Sequence, residues 1–217
     1  MAKLIWDDLG QKLYETGVSN AVLYLQNGTG AYDKGVAWNG LTKVTESPSG
    51  AEATPLYADN IKYLNLMAAE EFGGTIEAYT YPDEFLECDG GAEISKGIIA
   101  GQQARRPFGL CYKTIIGNDV KGNDYGYKLH IVYGCLASPS SKDYQTINDS
   151  PEAISLSWEF KSTPVPVTGQ KPTATLVIDS TKVSEATLAA IEEVLYGTDS
   201  TEASLPLPDD ILALVQP

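Results

Sequence analysis

The sequence predicts a mainly β protein, a sandwich or barrel of antiparallel strands flanked by one helix. Apolar and polar residues alternate with period two in about eight runs, the pattern of strands with one buried face. Clusters of Gly, Asn, Asp, Ser and Pro separate the runs as turn residues do. Only one stretch combines the helical period with clear start and stop signals.

In chain order, Ala21, Leu23 and Leu25 form the first run, and Asn27-Gly28 and Gly30 close it. Leu41 to Glu46 follows and is broken by Ser47-Pro48-Ser49-Gly50. Ile61 to Met67 and Thr75 to Tyr81 are the next candidates. Pro82 to Glu87 reads as a helical turn, with Pro82 at the first position, where its missing N–H is not needed. Leu110 to Ile116 is followed by turn residues at Gly117-Asn118-Asp119 and Gly122-Asn123-Asp124. In the next run Tyr127, Leu129, Ile131, Tyr133 and Cys135 share one face, with Lys128 and His130 on the other. In Ile154 to Lys161, the residues Ile154, Leu156, Trp158 and Phe160 face the core, and Ser155, Ser157, Glu159 and Lys161 face away. Ala174, Leu176 and Ile178 alternate with Thr175, Val177 and Asp179.

The helix spans Glu185 to Tyr196. Ser184 is its N-cap, Val183 and Leu188 form a hydrophobic staple, and Gly197 closes its end. Leu188, Ile191 and Leu195 make its apolar stripe. Beyond it, Thr198 to Pro217 reads as an extended acidic tail that packs on a neighbour through Ile211, Leu212 and Leu214. The division is therefore a β domain over residues 1–180, with residues 181–217 adding the helix and tail to the same domain.

The charge balance narrows the function. Fifteen Lys and Arg stand against 29 Asp and Glu, a net charge of −14, which repels nucleic acid and anionic membranes. After Lys182 there is no basic residue, while Glu185, Glu192, Glu193, Asp199, Glu202, Asp209 and Asp210 follow. Cys88, Cys111 and Cys135 fit neither a zinc template nor a CxxC pair, and read as buried small hydrophobes in a reducing compartment. The first residues lack the signal-peptide pattern, and no apolar run approaches the roughly 18 residues of a membrane span. Folding in a cytoplasm is expected.

Each candidate chemical site has a plainer reading. His130, the one histidine, falls on the polar face of its strand with no nucleophile elbow in the chain, so a solvated or hydrogen-bonded surface histidine is expected. Asp83, Glu84 and Glu87, beside Tyr79, Tyr81 and Phe85, form the densest acidic group near aromatics, but acids in a first helical turn are ordinary dipole partners. Residues 117–124 offer oxygen ligands around a glycine without the EF-hand spacing, and Lys121 disfavours a cation. Arg105-Arg106 reads as an ion-pair partner for a neighbouring acidic subunit. Asn27-Gly28-Thr29 and Asn148-Asp149-Ser150 are sequons that carry weight only after secretion. Dinucleotide and P-loop signatures are missing. No catalytic, cofactor or metal residue is assigned, and the chain is expected not to be an enzyme.

A run of motifs points elsewhere. The block Gly35 to Gly90, from GVAWNGLTKV to FLECDG, resembles the hallmark region of the major tail tube proteins of long-tailed bacteriophages. Further blocks are similar to the branch found in phages and prophages of Gram-positive bacteria. They are Tyr14 to Val18 with Val22 to Tyr24, Gly101 to Gln103 through Phe108 to Leu110, and Gly126 to His130 with Val132 to Gly134. Ser138 to Ser140, Ile147 to Asp149, Pro151 to Ile154 and Ser157 to Glu159 complete the series, which covers about residues 14–180.

The resemblance implies two antiparallel sheets packed as a β-sandwich or split barrel with a flanking helix. It implies six copies in a ring and rings stacked into a tube. That tube holds the tape measure protein during assembly, conducts DNA during ejection, and meets tail terminator and distal tail proteins at its ends. Such a protein resides in the virion tail after assembly in the host cytoplasm, binds no cofactor and touches DNA only in transit; an acidic wall suits that passage. Within this scheme Trp38 to Tyr63 is a long hairpin. Its polar loop Glu46, Ser47, Pro48, Ser49, Gly50, Ala51, Glu52 and Ala53 is the ring-stacking element. Glu77, Ser155, Ser157 and Glu159 are the lumen candidates, and the N-terminal arm and acidic tail reach other subunits. The competing readings are a virion-associated β-sandwich binding or decoration module, and a hydrolase built on an acidic pair.

Overall fold

The computed structural model describes residues 4–32, 34–147, 149–150 and 152–215. Strands dominate. In order they are β1 (Leu13–Leu25), β2 (Gly35–Trp38), β3 (Leu41–Glu46), β4 (Ser49–Gly50), β5 (Ala53–Ala58), β6 (Ile61–Met67), β7 (Glu70–Glu71) and β8 (Gly73–Ala78). The short helix α1 (Phe85–Cys88) separates these from β9 (Ala92–Ser95), β10 (Ile98–Ala100), β11 (Phe108–Asn118), β12 (Gly122–Ala137), β13 (Leu156–Ser162) and β14 (Thr175–Asp179). Helices α2 (Glu185–Tyr196) and α3 (Pro208–Val215) end the chain.

The mainly β reading holds. One antiparallel sheet of eight strands runs β2-β1-β11-β12-β13-β8-β3, with β14 added on β12. β11 lies along one edge of β12 for most of its length, while β14 takes Lys128–Val132 and β13 takes Cys135–Ala137 on the other. β2 and β3 stand at opposite ends of this order although only Asn39 and Gly40 join them, so the sheet must bend back on itself. No ladder joins β2 to β3 among the described residues.

The bend encloses one apolar cluster, and the helices cover a second on the other face of the sheet. Leu23 of β1, Phe108, Leu110 and Tyr112 of β11, Ile76 and Ala78 of β8, Trp158 and Phe160 of β13, Trp38 and Phe85 share the first. Alternate residues of the same strands, Val22, Tyr24, Cys111, Leu129 and Ile131, face the second, which α2 covers with Leu188, Ile191 and Leu195 and α3 with Ile211. Trp158 belongs to the core, as its strand pattern predicted, and all three cysteines are buried and unpaired. Trp6, by contrast, is exposed.

One face assignment changes. Cys135 was expected beside Tyr133, but it joins the opposite cluster. Gly134 sits at φ +59, and the register slips between the pairs Leu110–Val132 and Phe108–Cys135, a β-bulge that flips the alternation. A side chain is barred there, because a Cβ on Gly134 would stand 2.4 Å from the Thr163 carbonyl oxygen.

Helix α2 keeps its sequence-based limits, and the Ser184 hydroxyl accepts from the Thr187 amide at 3.2 Å. Ser184→Ala should lower stability by about 1 kcal/mol, read as a shift in the urea midpoint. An unchanged midpoint would mean that docking on the sheet alone holds the first turn.

Three expectations are corrected here. The helical turn placed at Pro82 to Glu87 forms at Phe85–Cys88, with the Pro82 carbonyl accepting from the Phe85 amide just ahead of it. The tail placed as extended contains α3: Pro208 opens the helix, Asp209 and Asp210 fill its first turn, and Ile211 anchors it in the second cluster. Pro217 lies outside the described residues. The long hairpin is also larger than Trp38 to Tyr63: Trp38 pairs with β1, and the hairpin proper runs from β3 to β8.

Candidate assembly surfaces

The hairpin is an arm. β3 and β8 pair within the main sheet, then β4 with β7, and β5 with β6, in three successive short ladders. Its tip is Asp59-Asn60, both at positive φ as a two-residue type I′ turn requires. The segment Glu46 to Ala53 was expected as a loop, but it is the outgoing side of the arm. The Ser47 amide donates to the Gly73 carbonyl at 2.8 Å, and Ser49 and Gly50 pair with Glu71 and Glu70. Pro48 does not end the ladder, because it falls in the gap between β3 and β4.

Every residue from Glu52 to Glu71 is exposed. Cross-strand partners share a face, and the register places Thr54 with Leu66, Leu56 with Leu64 and Ala58 with Ile61. That face is almost wholly apolar, yet Ile61 is 67% exposed and Leu66 55%. The other face carries Tyr57 opposite Lys62, and Tyr57 is 70% exposed. A lone two-stranded ribbon is marginal in water, and both edges of this one are open.

Other apolar side chains stand clear of the body. Leu4, Ile5, Trp6 and Leu9 are exposed in the N-terminal segment, which is fixed at Gly10 by hydrogen bonds with Asn118 and Asp119. The β9–β10 hairpin exposes Ile94, Ile98 and Ile99, and α3 exposes Leu212 and Leu214.

Three of the four lumen candidates come together. Ser157 pairs with Glu77, and Glu159 with Thr75, on the sheet face opposite Trp158 and Phe160. Ser155 precedes β13 and is exposed. The basic residues of this face are matched by acids: Lys43 meets Glu77 at 3.1 Å, and Lys161 stands 3.8 Å from Glu71.

The remaining candidates serve the fold. Arg105 and Arg106 bond within the chain rather than waiting for a neighbour. Arg105 donates to the carbonyls of Ala137 and Asp89, and Arg106 to Gln26 and to the Glu87 carboxylate at 2.9 Å. Glu87 is thereby separated in role from Asp83 and Glu84. In the 117–124 loop, Asn118 Oδ1 accepts from the amides of Val120 and Lys121, an arrangement that spends the oxygen a cation would need. No metal-holding group of His, Cys, Asp and Glu occurs among the described residues. The Asn27 side chain closes its own turn on Thr29 and Ala31, and Asn148 of the second sequon lies outside the described residues. No helix among the described residues is long and apolar enough to cross a membrane.

His130 is hydrogen-bonded, as one of its two expected readings had it, but it is not a solvated surface residue. Its side chain is only 13% exposed, because the bend folds its polar strand face inward. The imidazole stacks on Tyr112 with ring centroids 4.8 Å apart, meets Thr114 Oγ1 at 2.9 Å, and lies between two carboxylates. Glu15 Oε1 is 3.4 Å from Nε2, and Glu46 Oε1 is 3.6 Å from Nδ1. The second separation exceeds hydrogen-bond length, and the buried Nδ1 has no hydrogen-bond partner among the described residues.

Both carboxyl groups are held below the usual carboxylate range. For Glu15 partial burial opposes this, and bonds from Lys128 and Thr114 with the nearby positive charges outweigh it. For Glu46 the imidazole of His130 lowers the pKa most, burial works against it, and the Tyr112 hydroxyl adds to the lowering. A lowered folded pKa gives stability that is complete above the unfolded value, about 4.3 for Glu, and lost as pH falls through the folded one. Thermal unfolding from pH 7 to pH 3 should therefore show a flatter acid limb in Glu46→Gln than in the parent. Equal slopes would remove Glu46 from the acid response.

Set beside known proteins, the chain matches no family model, and no curated protein matches it.

Proposed function

We propose that this chain is a structural subunit that assembles with copies of itself into rings, and that the rings stack into the tail tube of a long-tailed bacteriophage. In this reading the bent sheet is the sandwich or split barrel of the tube fold, and the face bearing Glu77, Ser157 and Glu159 lines a lumen that passes DNA without holding it. The tape measure protein occupies that lumen during assembly, and terminator and distal tail proteins close the two ends.

The observation that carries the reading is the arm. Its apolar face of Leu56, Ile61, Leu64 and Leu66 is 38–67% exposed and joins neither apolar cluster among the described residues, which is costly for a lone monomer and natural for a subunit that meets its own kind. A repeated head-to-tail contact that closes gives rings, and repetition along the axis gives stacks. The exposed N-terminal segment and β9–β10 hairpin supply further apolar surface for the same use. The motif series over residues 14–180 points to the same family.

The test is negative-stain electron microscopy of the purified protein over a range of concentrations, with its mass in solution. Tubes or stacked rings with a central hole are expected. A strict monomer, even with tail initiation proteins added, would overturn the reading and favour a decoration module that binds through the exposed Tyr57 and Tyr63.

A further inference from the structure

Glu46 ends β3 and is the last residue before the arm leaves the main sheet. Its carboxylate accepts from the Tyr112 hydroxyl of β11 at 2.6 Å and faces His130 of β12. His130 passes the connection on through Thr114 to Glu15 of β1, which also holds Lys128 of β12 at 2.5 Å. β3 has a ladder with β8 alone, and it has none with β1, β11 or β12. The charged and titratable groups around the imidazole thus come from four strands: Glu15, Glu46, Tyr112 and Lys128.

Beyond Glu46 the outgoing side of the arm has little else to hold it, while the return side is tied at Phe72, whose carbonyl accepts from the Ser162 amide at 2.9 Å and from the Ser162 hydroxyl at 2.8 Å. Among the described residues, no side chain from Ser47 to Glu71 is hydrogen-bonded to the body, and the one ion pair is Lys161–Glu71 at 3.8 Å between exposed groups. A surface pair of that length contributes little. Direction must therefore be set at the root. A ribbon held on its return side, through β8 paired with β13, can still pivot about that line, whereas an attachment of its outgoing strand across the bend removes that freedom.

We infer that the Glu46–Tyr112–His130–Glu15 cluster is the joint that fixes the direction of the arm relative to the body, with Glu46 as its anchor rather than a contact to another ring. Its consequence for stacking rests on the tube reading; the joint itself does not. A subunit whose arm is already aimed loses less freedom on docking, so the joint preorganises the contact.

The experiment measures the arm's direction in the unassembled chain. Spin labels at Lys62→Cys on the arm and Lys171→Cys on the body report one distance, and the three native cysteines are buried. A narrow distribution is expected in the parent, and at least a twofold broader one in Tyr112→Phe and in Glu46→Ala. Hydrogen exchange at the Ser47 amide should rise about tenfold in both, the scale of one lost bond to a charged group. The Tyr133 amide, which donates to the Ala174 carbonyl at 2.8 Å in the far ladder, should stay as protected as before. Glu46→Gln keeps an acceptor for the Tyr112 hydroxyl and should restore part of the narrow distribution. Unchanged widths in both Tyr112→Phe and Glu46→Ala would overturn the joint, as would equal loss of protection at Ser47 and Tyr133. Tube formation by the unlabelled parent is scored separately, so a failure of the tube reading is seen apart from a failure of the joint.

Discussion

A chain in which residues 51–69 are replaced by Asn-Gly is expected to fold and to form no tubes. Gly50 and Glu70 are cross-strand partners, so a two-residue type I′ turn can join them without disturbing the ladder below. The removed segment contributes nothing to either apolar cluster, and its residues are exposed from Glu52 onward. Loss of such surface should move the unfolding free energy by about 0.5 kcal/mol or less. Assembly should respond differently. Fully burying a Leu or Ile side chain is worth roughly 1.5–3 kcal/mol, and Leu56, Ile61, Leu64 and Leu66 are already part-covered, so docking this face is worth several kcal/mol. Association costs at least about 4 kcal/mol before any contact counts. Removing the arm should therefore take polymerisation below detection. Circular dichroism melting with electron microscopy and sedimentation reads both halves. Normal tubes from the shortened chain would show that stacking uses another surface.

The strands and α2 were legible because their signals are local. Alternation in Ile154 to Lys161 placed Trp158 inside, and Ser184, Leu188 and Gly197 marked α2 from end to end. The bulge at Gly134 was not legible as a break in Tyr127 to Cys135, because a one-residue slip preserves the apolar run while reversing the face. Helix α3 carried a readable signal in Pro208 followed by two acids; the prolines at 206, 208 and 217 weighed instead toward an extended tail. The arm's tip was also readable, since Asp59-Asn60 lies between two β-forming runs. Ser47-Pro48-Ser49-Gly50 looked the stronger turn, and only pairing with Glu70 and Glu71 keeps it in a ladder.

The joint is a different matter. Tyr112 meets Glu46 across 66 residues of sequence, and Thr114 meets Glu15 across 99. Such contacts follow from the bend of the sheet, which no window of sequence contains. His130 therefore looked like a solvated or hydrogen-bonded surface residue from its strand pattern, although the polar face it occupies turns inward against β3. The Arg105-Arg106 pair failed in the same way: its partners, Gln26, Glu87, Asp89 and Ala137, come from separate parts of the fold.

Trp158→Ala should remove about 3–5 kcal/mol of stability, the usual loss for deleting a fully buried large aromatic. The indole is 1% exposed and packs against Phe85, Tyr81 and Trp38, with ring centroids 5.1, 5.4 and 5.8 Å away. Those rings come from β2, α1 and the loop ahead of it, so the cavity would loosen the contact between the two ends of the bent sheet. For a chain of this size the melting temperature should fall by roughly 6–20 °C. Trp158→Phe should be much milder. It leaves a ring in place, and it deletes an indole N–H that is buried with no hydrogen-bond partner among the described residues, itself an unfavourable group. If Phe proved as damaging as Ala, the N–H would have to be bonded and the packing of β13 differently arranged. The consequence reaches function through one strand. Trp158 lies between Ser157 and Glu159, so the residue that fills the core on one side holds the proposed lumen face on the other. Loss of tubes in Trp158→Ala at temperatures where the chain is still folded would tie that face to assembly.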